Sequence, residues 1–229
     1  MLIKKIKDEG LFPAKWVGCD SFFGSDHAFL DEIARDFYYF AGIRSNTHVW
    51  LKRPKIGLPP YKGRGHRPKK ARPLTKSIHV SEIAKDPSLP WKSVNVGEGA
   101  KGPILADIVR LRVIECRDGL PEEERWLFMR RCADGTIRYT LSNAPEDIPM
   151  EEMIRVARMR WPIEQSFQEG KSHLGMDCYE IRSYPGWHRH MTLVFLAQLF
   201  LLEVRFMFTS KKKKRFLHFL KPNYCSQQP

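Results

Sequence analysis

A strand–helix–strand pattern near the start of the chain constrains the fold more than any other feature of the sequence. The segment AKWVGCDSFFG predicts a short strand that ends at Cys19 and Asp20 and opens into a turn at Gly24. The apolar residues that follow recur at helical spacing: Phe29, Leu30, Ile33 and Phe37. The aromatic run FYYFAGIRS (residues 37–45) predicts a second strand, so we expect parallel strands and an α/β fold. Asp20 would then lie at the carboxyl end of its strand, where open α/β sheets place their functional groups.

The charge balance indicates a polyanionic partner. Among the 229 residues there are 39 Lys and Arg against 26 Asp and Glu, which gives a formal charge of +13. Nucleic acid is the first candidate for such a partner, and an anionic membrane surface is the second. A hydrophobic fraction of 42% is enough for an ordinary soluble core and excludes a chain that is mainly disordered.

The positive charge is concentrated between residues 37 and 81, where the sequence has no Asp or Glu. Eleven cations lie in this stretch: Arg44, Lys52, Arg53, Lys55, Lys62, Arg64, Arg67, Lys69, Lys70, Arg72 and Lys76. Its middle, GLPPYKGRGHRPKKARP, is too rich in Gly and Pro for a regular helix or a central strand. We predict a mobile basic loop that contacts phosphates, with a merely solvated charge run as the alternative.

The rest of the chain predicts a β-rich middle and a helical end. Strand-like runs separated by turn signals between residues 78 and 148 are typical of antiparallel hairpins or a meander. Helical periodicity returns at Met150, and Pro162 should kink or restart that helix. The apolar stretch at 191–208 contains Gln198 and two charged residues, so we expect a buried helix and no membrane span.

The sequence also predicts a reduced, cytoplasmic location. Its opening, MLIKKIKDEGLFPAKW, has cations without the apolar stretch of a secretory signal. The five cysteines form no C-x-x-C pair, so neither a disulfide framework nor a zinc knuckle is indicated.

Three charged residues share one stripe of the predicted C-terminal helix. Arg160 precedes Glu164 by four positions and Lys171 follows it by seven, a spacing that places all three on one face. An ordinary salt-bridged helix face has the same spacing and remains the alternative.

These residues resemble a known signature. Arg-Trp-x-Ile-Glu, six residues and then Lys are similar to the Tyr-Arg-Glu-Lys signature of DDE-type insertion-sequence transposases, whose catalytic domain has an RNase H-like fold. The likeness continues through HLGMDCYEIRSYPGWHRHMTL. Upstream, WVGCDSFFGSDHAFLDEI resembles the segment around the family's second catalytic Asp. The signature's Tyr falls on Ala157, which is a departure from the pattern.

The resemblance implies roles for individual residues. Asp20 and Glu164 match the second and third catalytic acids, which bind Mg²⁺ or Mn²⁺, while Arg160 and Lys171 match the signature's cations beside the DNA. For Asp20 alone, a cap on the following turn is the alternative role. No residue matches the family's first Asp, since Asp8 lies in a polar segment without a strand pattern.

The resemblance therefore implies a partial RNase H-like α/β fold with a β-rich insertion and a helical C-terminal region. We expect an RNase H-like segment at 1–50, the basic loop and insertion at 51–148, the Glu-bearing and C-terminal helices at 149–209, and a basic tail at 210–229. The functional hypothesis is the C-terminal part of a transposase that cuts and joins transposon-end DNA and is inactive alone. A non-catalytic DNA-binding regulator is the alternative. A homodimer or a full-length transposase is the expected protein partner, and the bacterial nucleoid the expected location.

Overall fold

The computed structural model describes residues 2–10, 13–60, 63, 69–99, 102–180 and 182–210. The chain divides into two compact units, residues 1–160 and 161–229, and each is described by itself. The helices of the described residues are α1 (Leu2–Asp8), α2 (His27–Ala34), α3 (Val80–Ile83), α4 (Met150–Arg158), α5 (Arg160–Leu174) and α6 (Tyr184–Ser210). The strands are β1 (Trp16–Cys19), β2 (Tyr38–Ile43), β3 (His48–Trp50), β4 (Ile56–Gly57), β5 (Arg72–Pro73), β6 (Ile78–His79), β7 (Lys92–Gly99), β8 (Gly102–Arg117), β9 (Leu120–Arg131) and β10 (Ile137–Ser142).

The predicted parallel strands are confirmed. β1 pairs in parallel with β2, and Cys19 lies opposite Ala41. The helix between them begins after Asp26, whose carboxylate accepts a hydrogen bond from the backbone N–H of Phe29 at 3.0 Å. The prediction that Phe37 lies on this helix is wrong, because the helix ends at Ala34 and Phe37 is buried just before β2.

The predicted meander is confirmed and belongs to the same sheet as the parallel strands. An eight-stranded sheet has the order β1-β2-β10-β9-β8-β3-β6, with β7 also paired to β8. β10 pairs antiparallel with β2, so the strands of the β-rich middle extend the sheet that β1 and β2 begin. Two elements of this region, α3 and β7, were not predicted from the sequence.

Both faces of this sheet are covered by apolar side chains. One face carries Val109, Val113 and Leu127, which pack with Val80 and Ile83 of α3. The opposite face carries the cluster of Ile108, Trp126 and Phe128 with Met153 of α4. This burial of large side chains is the main favourable term in the stability of such a domain.

The C-terminal helices differ from the expectation in one respect. The helix α4 ends at Arg158, and α5 begins at Arg160 with Pro162 in its first turn. The predicted restart of the helix at Pro162 is thus confirmed.

The segment 191–208 is helical, but the expectation that this helix is buried is wrong. Leu193, Phe200 and Phe206 of α6 are 67%, 64% and 73% exposed. The segment Tyr184–Phe208 of α6 is long and apolar enough to cross a membrane, with a mean hydropathy of 1.8. Core helices of soluble proteins can have the same length and hydropathy.

The basic loop contains a small piece of regular structure. β4 and β5 form a two-residue antiparallel ladder, in which Gly57 lies opposite Arg72. The loop is attached to the sheet where the indole N–H of Trp50 donates to the carbonyl oxygen of Thr75 at 2.9 Å. Arg64 and Arg67 lie outside the described residues.

Candidate metal and DNA site

Asp20 directly follows β1, at the carboxyl end of a strand in a partly parallel sheet. Its Oδ1 accepts hydrogen bonds from the backbone N–H groups of Phe22 and Phe23, at 3.0 and 3.3 Å. The carboxylate therefore caps the 3₁₀ turn Phe23–Ser25, as the alternative role for this residue requires. Because both bonds use Oδ1 and the residue is exposed, the cap is compatible with a metal ion bound through Oδ2.

Gly24 and Gly42 allow the Asp20 loop to lie against the sheet. The sequence analysis identified Gly24 as a turn residue and did not identify Gly42. A Cβ atom on Gly24 would lie 1.9 Å from the carbonyl oxygen of Gly42 in β2. A Cβ atom on Gly42 would lie 3.2 Å from the backbone nitrogen of Ser21 and 3.3 Å from the carbonyl carbon of Asp20. The absence of side chains at both positions thus lets the loop approach β2 at backbone distance.

A buried carboxylate secures the helix that follows this loop. Glu115 of β8 is 2% exposed, and its Oε1 lies 2.9 Å from Nε of Arg117 and 3.4 Å from Nδ1 of His27. Arg117 also donates to both carboxylate oxygens of Asp31 in α2, at 2.8 and 2.9 Å. The network joins α2 to β8 and so fixes the segment that begins at Asp20. Its only signal in the sequence is a Glu inside the short run VIEC, whose other residues are apolar.

Glu164 and Lys171 lie on α5 and are both exposed. Their spacing of seven residues, two turns of helix, places them on the same face. Arg160 is the first residue of α5. The helix therefore carries Arg160, Glu164 and Lys171, whereas Ala157, at the position of the signature's Tyr, lies on α4.

The polar residues of α6 position α5. Gln198 donates a hydrogen bond to the carbonyl oxygen of Ser166 at 2.7 Å, two residues after Glu164. Arg205 lies 3.9 Å from Oε1 of Glu169. The polar interruptions of the apolar segment thus attach α6 to the helix that carries Glu164, a role that sequence reasoning missed.

The predicted residues are divided between the two units of the chain. Asp20, Lys69, Lys70 and Arg72 belong to the first unit, and Glu164 and Lys171 to the second. The meeting of Asp20 and Glu164 at one metal site therefore stays a prediction. Within the described ranges, no three His, Cys, Asp or Glu residues are grouped closely enough to hold a metal ion. Lys69, Lys70 and Arg72 are exposed in the basic loop.

The mixed sheet, with an acidic residue at the end of a parallel strand and helices at the C-terminus, is the architecture of an RNase H-like transposase domain. The family model described as transposase DDE domain matches residues 2–200, and the chain belongs to that family. The family acts on DNA and depends on divalent metal ions. No curated protein matches the chain.

Proposed function

We propose that this chain binds transposon-end DNA and that Asp20 and Glu164 are two of the carboxylates that bind Mg²⁺ or Mn²⁺ for cutting and joining. Carboxylate oxygens are the hard ligands that these ions prefer. The ions would stabilise the attacking and leaving oxygens of the phosphodiester. The observation that carries this proposal is the position of Asp20, exposed at the carboxyl end of β1 in a chain of the DDE family.

The DNA contacts belong to two groups of cations. Arg160 and Lys171 flank Glu164 on α5 and are suited to the phosphates on either side of the metal site, Arg as a planar fork and Lys as a point charge. The basic loop supplies the second group: Arg64, Arg67, Lys69, Lys70 and Arg72. The formal charge of +13 supports a large electrostatic share in binding.

The 229 residues do not cut DNA unaided in this proposal. The family mechanism uses three carboxylates, and this proposal assigns two of them; Asp8 is not assigned as the third, because it ends the helix α1 instead of following a strand. A full-length transposase would supply the further carboxylate, and a homodimer is the alternative assembly. We place this activity in the bacterial cytoplasm, at the nucleoid.

A non-catalytic regulator is the second candidate, and the exposed cations Lys69, Lys70 and Arg72 of the basic loop support it. Such a protein would occupy transposon ends and inhibit a complete transposase by mixed assembly. It needs the cations but not the two carboxylates.

DNA binding and cutting by purified residues 1–229, with and without Mg²⁺ or Mn²⁺, test both candidates. The wild-type chain and the Asp20→Asn and Glu164→Gln variants should bind duplex DNA equally without metal, with an affinity that falls steeply as salt rises. None of the three should cut alone. If the wild type cuts DNA with metal and Glu164→Gln does not, the chain is active alone and is not a non-catalytic regulator. The proposal that Glu164 binds the metal would still hold.

A matched charge variant tests the basic loop. Replacing Lys69, Lys70 and Arg72 with Gln should weaken DNA binding. Replacing three exposed cations in or directly after helices, Lys5, Arg35 and Arg155, should have a smaller effect. Failure of the wild type to bind any nucleic acid at low salt would overturn both candidate functions.

A further inference from the structure

Two arginines lie directly opposite each other on the sheet near Asp20. Arg138 of β10 is paired with Arg130 of β9 in the strand register. Directly opposite residues project from the same face, and like charges in this position destabilise a sheet. Arg130 and Arg138, the arginine pair, therefore repel each other in the folded protein.

The arginine pair lies on the face from which a side chain of Gly42 would project. Gly42 is opposite Thr140 in the register, and its missing side chain would point toward Ser21 and Asp20. Arg138 is two positions before Thr140 on the same strand, which is about 7 Å along it. This displacement runs toward the edge at which β1 and β2 end, so the arginine pair and Asp20 share that edge.

The other arginines of β8–β10 have partners inside the protein. Arg110 donates to the carbonyl oxygen of Ile148 and stacks on Trp126. The remaining four contact carboxylates: Arg112 with Glu124, Arg117 and Arg125 with Glu115, and Arg131 with Asp107. Among the described residues, Arg130 and Arg138 form no such ion pair.

The carboxylate of Asp134, in the turn next to the arginine pair, is hydrogen-bonded within its own turn. Asp134, in the turn between β9 and β10, accepts hydrogen bonds from the backbone N–H and the hydroxyl of Thr136, at 2.9 and 2.7 Å. It caps the turn and forms no ion pair with Arg138 within 4 Å, although the charge of Arg138, after the hydrogen bonds from Thr136, helps to lower the pKa of Asp134. The arginine pair thus presents two guanidinium groups, one exposed and one half-buried, and neither has a carboxylate within ion-pair distance in the described part of the chain.

We propose that Arg130 and Arg138 bind the phosphate backbone of the DNA strand that passes Asp20. Guanidinium groups bind phosphate oxygens through two parallel N–H bonds, and one phosphate bound at each arginine removes the repulsion between the two cations. This contact rests on the proposed DNA-binding function and adds to it a surface on the strands of the β-rich middle, apart from α5 and the basic loop. The contact positions the DNA and takes no part in the chemical step.

The test is a salt titration of duplex-DNA binding by residues 1–229, the Arg130→Gln/Arg138→Gln variant, and an Arg35→Gln/Arg131→Gln control. The control removes the same charge, but its arginines have their own acidic partners, Glu32 and Asp107. Loss of two phosphate contacts should reduce the slope of log affinity against log salt by about 1.8 in the arginine-pair variant, at about 0.9 for each phosphate. The control should keep the wild-type slope.

Thermal unfolding without DNA provides a second readout. Removal of a repulsive pair should leave the melting temperature equal or higher, whereas a structural role would lower it. A lower melting temperature, or a slope equal to that of the control, overturns the arginine-pair proposal and leaves the proposed function in place. A wild type that binds no DNA overturns both. Binding to phosphatidylserine vesicles that depends on the arginine pair, without such dependence for DNA, would also contradict the proposal.

Discussion

A Cβ atom at Gly24 would lie 1.9 Å from the carbonyl oxygen of Gly42, so the loop after Asp20 rests directly on the backbone of β2. A backbone oxygen cannot rotate away as a side chain can. Gly24→Ala should therefore lower the free energy of unfolding by about 1–3 kcal/mol, the usual cost of overpacking.

Chemical denaturation measures this effect, and Gly18→Ala is the matched control. Gly18 lies in β1, and a Cβ atom there would meet nothing within 4 Å. Equal stability of the two variants would show that the loop does not rest on β2.

The buried Glu115 should be among the most sensitive polar positions. Glu115→Ala leaves Arg125 and part of Arg117 without their carboxylate in the interior and should cost about 3–5 kcal/mol. Glu115→Gln should cost less, because its amide oxygen still accepts from Arg117. The exposed pair of Lys5 and Glu9, 3.9 Å apart, is the control, and Glu9→Ala should change stability by less than about 1 kcal/mol. Similar losses for Glu115→Ala and Glu9→Ala in denaturant titrations would contradict the structural role of Glu115.

Tyr39 should make the protein sensitive to alkali. Burial raises the pKa of Tyr39 from its ordinary 10.0 to about 12. The unfolded chain loses this proton above pH 10 while the folded protein keeps it, so the stability is fully present below pH 10 and is lost as the pH rises toward 12. Tyr39→Phe should show a shallower alkaline decline when unfolding is measured across this range.

The same variant has an expected effect at neutral pH. The hydroxyl of Tyr39 is buried beside the guanidinium of Arg125, but forms no hydrogen bond of good geometry with the described residues. Its removal should therefore raise stability by about 1 kcal/mol. A loss of stability in Tyr39→Phe at neutral pH would mean that the hydroxyl is bonded.

Much of this fold could be predicted from the sequence, because its signals are local. The apolar run at Trp16–Cys19, the aromatic run at Tyr38–Ile43 and the turn residues between β8, β9 and β10 each specify an element without reference to distant residues. The register of the strands is not local. The opposition of Arg130 and Arg138, and the contact of Gly24 with Gly42, depend on pairings that a sequence pattern does not specify.

The burial of α6 was predicted wrongly because it, too, depends on contacts that a local pattern does not specify. The apolar composition of α6 indicates a helix, but it does not show which surface covers the apolar side chains. Asp20 and Glu164 were identified through the family signature, whereas Glu115 is one of several charged residues of β8 and nothing in the sequence marks it as the buried one.

The exposed side chains of α6 should cause self-association. Large exposed apolar surfaces mark contact sites or cause aggregation, and Leu193, Phe200 and Phe206 are each more than half exposed. Phe200→Lys should shift the chain toward the monomer in sedimentation equilibrium. Thr192→Lys adds the same charge at an exposed polar position of α6 and should leave association unchanged. A monomeric wild type, or an equal effect of both variants, would contradict this prediction.

Iron-directed cleavage of the polypeptide shows most directly whether Asp20 and Glu164 bind the same metal ions. Fe²⁺ replaces Mg²⁺ and, with added hydrogen peroxide and ascorbate, generates hydroxyl radicals. These cut the chain next to the bound ion, at positions that mass spectrometry identifies. We expect cuts around both residue 20 and residue 164, and their joint loss in Asp20→Asn and in Glu164→Gln. Cuts at one segment only, or cuts at residue 20 that persist in Glu164→Gln, would show that the two carboxylates do not share a metal site.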